Sequence, residues 1–153
     1  MSPLGKYFEE LTVGEVYKHA ITRTVTETDN LLFSTLTHNP QPLHLDAEFA
    51  KSTIHGGIIV NSMFTVALIV GISVSDLTLG TTLGNLGFEE MTFKAPVRIG
   101  DTIRVETEVL AKKESKSKQD RGIVWLEHRG YNQKGELVAR AKRLAMMMRR
   151  PSE

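Results

Sequence analysis

The chain has 153 residues, 41% of them apolar, and a formal charge of +1. That length suits a single domain spanning residues 1–153, with enough apolar content for a real core. The near-neutral balance excludes a polycation built to neutralise nucleic acid, no apolar run reaches the roughly 20 residues of a bilayer span, and the absence of cysteine removes disulfides, thiolate metal sites and a cysteine nucleophile.

The first six residues, Met1 to Lys6, lack the apolar centre of a signal peptide, so a cytoplasmic location is expected. Val16 to Val25 is partly β-branched and reads as a strand. Thr26-Glu27-Thr28-Asp29 has the spacing of a capping box, and Leu32, Phe33 and Leu36 follow at helical intervals. His38 to Leu45 holds two prolines and Asn39 and reads as a loop. Asp46 can cap a short helix through Lys51. After Gly56-Gly57, the stretch from Ile58 to Val74 is apolar nearly all round, the mark of a buried helix.

The second half changes character. Thr81 to Phe93 holds one or two strands, and Thr102 to Val109 alternates strictly, as a half-buried strand does. The charged run from Lys112 to Asp120 reads as a solvated loop. Gly122 to Tyr131 and Glu136 to Met148 are two further strands, joined by a hairpin turn at Asn132-Gln133-Lys134-Gly135. Met146 to Met148 fits a core strand end. Helices gathered in the first half and antiparallel strands in the second give an α+β fold. An exposed edge strand invites pairing with a second copy, so a homodimer is expected.

Chemistry concentrates in Leu36-Thr37-His38-Asn39-Pro40-Gln41-Pro42-Leu43-His44-Leu45-Asp46. Proline limits backbone freedom, so this loop can hold amide and imidazole groups in fixed positions. His44 is a candidate for proton transfer, a role most often taken by imidazole side chains; capping or satisfying a helix end is the plainer role. His55 beside Gly56-Gly57 suits a surface loop or a pocket mouth. His38 suits an exposed position, and His19 and His128 are ordinary strand residues. Asp29, Asp46, Glu89 and Glu90 are candidate acids with equally ordinary roles in caps and on strand surfaces. No His, Asp or Glu spacing matches a metal site, and no glycine-rich loop has phosphate-binding spacing.

Four segments together resemble the MaoC-like family of (R)-specific enoyl-CoA hydratases. They are Phe8-Glu9-Glu10-Leu11-Thr12-Val13-Gly14, then Thr24 to Asp29, then Asn39-Pro40-Gln41-Pro42-Leu43-His44-Leu45-Asp46, then Phe93-Lys94-Ala95-Pro96-Val97-Arg98-Ile99-Gly100-Asp101-Thr102. The resemblance implies a hot-dog fold, a long central helix wrapped by a curved antiparallel sheet. It also implies a hydro-lyase that adds water to, or removes it from, a 2-enoyl-CoA thioester, with CoA as part of the substrate and no cofactor. The family's catalytic Asp and His fall on Asn39 and His44, and its motif Asn falls on Gln41. Its helix-start His-Gly-Met falls on Asn61-Ser62-Met63, which makes the Ser62 N–H the oxyanion donor. An Asn cannot serve as a general base, so Asn39 would orient water while His44 moves the protons.

The combination of Asn39, Gln41 and Asn61-Ser62 resembles a subgroup acting on mesaconyl-CoA or itaconyl-CoA. Such branched C5 dicarboxyl thioesters need a cation for the second carboxylate, for which Arg98, Arg104, Arg121 and Arg129 are candidates. A hot-dog thioesterase and a non-catalytic acyl-CoA-binding protein are the competing readings. The Pro-Leu-His motif speaks against the first, and the missing Asp would permit the second.

Overall fold

The computed structural model describes residues 5–152. Met1 to Leu4, part of the segment read above for a leader, lie outside the described residues, as does Glu153. A one-turn 3-10 helix, Phe8–Glu10, precedes two short strands, β1 (Val16–Lys18) and β2 (Arg23–Thr24). Three helices follow: α1 (Glu27–Leu36), α2 (Pro42–Leu45) and α3 (Ala47–Lys51). The long helix α4 (Ser62–Leu77) then leads into β3 (Thr82–Phe93), β4 (Thr102–Glu114), β5 (Arg121–Tyr131) and β6 (Leu137–Met148). The sheet runs β1-β4-β5-β6-β3, with β2 also on β4, and every pairing is antiparallel. α4 packs across β4, β5 and β6, which makes the fold α+β.

The alternation along β4, β5 and β6 is the alternation of burial. Val105, Val109, Val124, Leu126, Val138 and Ala141 face α4 and are buried. The other face carries ion pairs, such as Arg129 with Glu108 at 2.7 Å. Gly130 lets the helix come close: a Cβ there would lie 2.6 Å from Cγ2 of Ile69. The hairpin turn is closed by the Gly135 N–H donating to the Asn132 carbonyl at 3.0 Å, with Gly135 at φ 79°.

Several sequence boundaries move. Val16 to Val25 is two strands, interrupted where His19 turns its ring inward to Asp76 and Thr107. The loop from His38 to Leu45 ends in one helical turn, with Pro42 at its first position, where no N–H is needed. The stretch from Ile58 to Val74 starts extended, because the Val60 N–H donates to the Val97 carbonyl at 2.8 Å. The helix begins only at Ser62 and runs on to Leu77. Nor is it buried all round: Met63, Ala67 and Gly71 are exposed. Lys112 to Glu114 belong to β4, leaving a shorter loop, and Thr81 to Phe93 is one strand, bent by register shifts.

Two features invert the usual pattern. α1 buries Asn30 and Ser34 while Leu31, Leu32 and Leu36 are exposed. Under α4 the core divides into two apolar clusters, one around Ile69, Val105 and Val138 and the other around Leu77, Val109 and Leu126. A polar row runs between them. Arg143 Nε meets His128 Nε2 at 2.8 Å, His128 Nδ1 meets Thr107 Oγ1 at 2.9 Å, Thr107 Oγ1 meets His19 Nε2 at 2.8 Å, and His19 Nδ1 meets Asp76 at 2.8 Å. Arginine only donates, so the direction of every bond is set: each imidazole accepts at Nε2, donates at Nδ1 and is neutral.

Candidate functional site

The segment carrying Asn39 and His44 is anchored at both ends. At its start, Thr26 caps α1: its Oγ1 accepts from the Asp29 N–H at 3.2 Å, and Asp29 Oδ2 accepts from the Thr26 N–H at 2.8 Å. Arg23 forks onto Asp29 at 2.6 and 2.8 Å, and this pairing holds the Asp29 carboxyl far below the usual carboxylate range. α1 ends at Leu36, and His38 just beyond it takes the left-handed conformation at φ 54°. The Asn39 N–H then donates to the Ser34 carbonyl at 2.9 Å. Asn39 Oδ1 accepts from the Gln41 N–H at 3.1 Å, a side-chain turn of the kind asparagine favours. At its other end, Asp46 caps α3 by accepting from the Phe49 N–H at 2.9 Å.

His44 lies in the single turn of α2, half-buried. Its Nδ1 sits 2.8 Å from the Ile59 carbonyl oxygen. A carbonyl only accepts, so Nδ1 carries the hydrogen; in the neutral ring Nε2 is then an acceptor. The bond fixes both tautomer and ring orientation.

Asn61 prepares the other half of the site. It caps α4, its Oδ1 accepting from the Met63 N–H at 3.0 Å, while its own carbonyl accepts from the Thr65 N–H at 3.3 Å. The Ser62 N–H, at the first helical position, has no intrahelical acceptor and stands at the positive end of the helix.

The two halves are stitched by Asn30 and Ser34, which sequence reasoning did not single out. Asn30, 2% exposed, donates to the His44 carbonyl at 3.0 Å and accepts from the Asn61 N–H at 2.9 Å. Ser34 Oγ accepts from Asn61 Nδ2 at 3.4 Å. The only signal in the chain is their spacing, four apart on one helix face.

Two hollows flank this junction. Ser62, Thr65, His55, Ile59 and Lys94 help line a mainly apolar cavity of about 220 Å³. Asn39 lines a more open hollow with Ser34, His38 and Leu45. His44 lines neither, but its bonded partner Ile59 lines the first. The structure thus joins His44 to Asn61 through Asn30, with Ser62 next to Asn61 in the chain, and sets Asn39 nearby. The Gln41 side chain is exposed.

The remaining candidates fall outside this centre. Glu89 accepts from Trp125 and pairs with Lys142, and Glu90 pairs with Arg140. His19 and His128 are buried in the polar row. Arg104 pairs with Glu106, Arg121 with Asp120, and Arg129 with Glu108 and Glu127. Arg98 donates to the carbonyls of His55, Gly57 and Ile58 and braces the loop before α4.

Comparison with known proteins places this geometry. The MaoC like domain matches residues 8–131. Mesaconyl-CoA hydratase of Cereibacter sphaeroides is 34% identical over 146 residues, which cover 95% of this chain and 42% of that protein. The chain therefore spans about two-fifths of that relative's length. The structure of the MaoC-like dehydratase from Rhodospirillum rubrum superposes with a TM-score of 0.85 at 34% identity, covering 97% of this chain and 100% of that one. A Mycobacterium tuberculosis protein with a double hot-dog fold superposes with a TM-score of 0.87 at 22% identity, covering 98% of this chain and 46% of its own. The fold is a hot-dog fold, and the chain belongs to the MaoC-like family.

Proposed function

We propose that the protein is a hydro-lyase that adds water to, or removes it from, a 2-enoyl-CoA thioester. The observation that carries this reading is the orientation of His44: the Nδ1 bond to the Ile59 carbonyl leaves Nε2 as the basic nitrogen, while Asn30 ties the His44 backbone to Asn61, the cap that precedes the helix-start N–H of Ser62. In the hydration direction Nε2 accepts a proton from water, and the hydroxide formed adds to C3 of the enoyl group. The displaced π electrons move through C2 to the thioester oxygen, where the Ser62 N–H and the helix dipole stabilise them. His44 then returns the proton to C2, so one group moves both protons. Asn39 offers the water its amide, with Oδ1 already engaged by the Gln41 N–H.

A branched C5 dicarboxyl-CoA such as mesaconyl-CoA is the substrate this reading favours. The neutral Asn39 removes an anion that would repel a second carboxylate. The similarity to mesaconyl-CoA hydratase supports the same choice.

A homodimer belongs to the same reading. β3 is an edge strand, and it exposes Leu83, Leu86, Phe88, Met91 and Phe93. Exposed apolar side chains along an edge strand suit pairing with a partner. A second copy would supply the second fold that the double hot-dog protein carries in one chain. The cytoplasm is the proposed compartment, which suits a chain without cysteine.

Incubating purified protein with mesaconyl-CoA and with crotonyl-CoA tests the reaction. Loss of enoyl absorbance without release of free CoA is expected. Release of free CoA would indicate a thioesterase, and binding without turnover would indicate an acyl-CoA-binding protein.

A further inference from the structure

We infer that Lys94, at the cavity lined by Ser62 and Thr65, receives the second carboxylate of a dicarboxylic acyl group; this rests on the hydratase reading and names the group that selects its substrate. A carboxylate carried into a largely apolar site needs a cation that is not already neutralised. The arginines are engaged elsewhere. Arg104, Arg121 and Arg129 are paired with carboxylates, and Arg98 is spent on the carbonyls of His55, Gly57 and Ile58.

Lys94 differs from all of them. It lies just beyond β3, its N–H donating to the Val138 carbonyl at 3.0 Å, so its backbone is fixed at the cavity wall. The acids next to it in sequence, Glu89 and Glu90, are taken by Lys142 and Arg140. Among the described residues Lys94 has no ion-pair partner, and no Asp or Glu lines the cavity. Its exposed four-carbon stem lets the ammonium remain hydrated until a carboxylate arrives.

The rest of the cavity suits the same ligand. Thr65 is 2% exposed, and it lines this cavity one helical turn past Ser62. Its hydroxyl has no hydrogen-bond partner among the described residues, so it is a donor held ready in an otherwise apolar wall. His55 lines the same cavity. The cavity volume of about 220 Å³ gives room for a short acyl group.

The test is the ratio of kcat/KM for mesaconyl-CoA to that for crotonyl-CoA, which lacks the second carboxylate. Lys94→Met should lower that ratio about 10- to 100-fold, the span of one charge-assisted hydrogen bond, and Lys94→Glu should lower it further. Lys94→Arg should keep most of it. An unchanged ratio in active Lys94→Met and Lys94→Glu enzymes overturns the assignment and leaves the hydratase standing. No turnover of either thioester by the unsubstituted protein overturns the hydratase reading and this one with it.

Discussion

Arg143 donates from Nε to Nε2 of His128 across 2.8 Å in the interior of the sheet. Burial, then the Arg143 cation and then His19, push the His128 imidazole well below its ordinary range. In the unfolded chain the same ring would take up a proton near pH 6.5. Below that pH the unfolded state binds a proton that the folded state refuses, so stability falls as pH falls. At pH 5.5 the loss should be on the order of 1 kcal/mol, a few degrees in Tm for a domain of this size. Thermal melts at pH 7.5 and 5.5 check it: His128→Gln should lose this share of the acid sensitivity. An equal acid shift in both proteins would remove His128 as its source.

Replacing His44 by alanine should lower kcat by at least about two decades, the usual contribution of a general acid–base group. Because His44 is half-buried at a surface turn, the variant should fold; circular dichroism and Tm confirm that before the rate is read. Near-normal turnover in a folded variant would show that another group moves the proton.

Asn30→Ala should damage catalysis without touching a reacting atom. It leaves the His44 carbonyl and the Asn61 N–H without their shared partner, at a stability cost of about 1–3 kcal/mol. The loop and the helix start then lose their common reference, and kcat should drop about 10- to 100-fold with little change in KM. Asn30→Asp keeps the acceptor for Asn61 but loses the donor to His44, and should fall between. Lost stability with kcat unchanged would leave Asn30 a purely structural residue.

Gly130→Ala should destabilise by about 1–3 kcal/mol through overpacking, since the new methyl would stand 2.6 Å from Ile69 Cγ2. Removing that methyl with Ile69→Ala should relieve the clash, so the double substitution should cost less than the sum of the singles in urea unfolding. Additive costs would mean that the helix can lift from the sheet at no expense.

Period-two alternation made β4, β5 and β6 readable in the sequence, because each strand has one buried face. The motif around Asn39 and His44 was readable for a different reason: prolines and asparagine mark a chain held in one shape. What stayed hidden depends on contacts between distant segments. Asn30 gave no sign that it would bond residues 14 and 31 positions away. Leu31, Leu32 and Leu36 carry a helical period, yet they face outward in the single chain. Their period shows the helix and says nothing of which side is covered. His19, Thr107, His128 and Arg143 are ordinary strand-region residues until sheet register and the turn before β2 bring them into line. Lys94 looks like any exposed lysine in the sequence until the cavity beside it is seen.

The polar row under α4 lets the two halves of the core drift independently over generations. A side chain that grows or shrinks beside Leu77 or Val124 meets its neighbours in that cluster and then a line of directed hydrogen bonds, which tolerates little change of shape. Substitutions on opposite sides of that line do not touch, and non-touching substitutions add rather than compound. The half holding Ile69, Val97 and Val138 also walls the cavity at the start of α4. A lineage can therefore remodel that cavity on one side while the other side, with the N-terminal turn and the far ends of β4 to β6, keeps its packing intact.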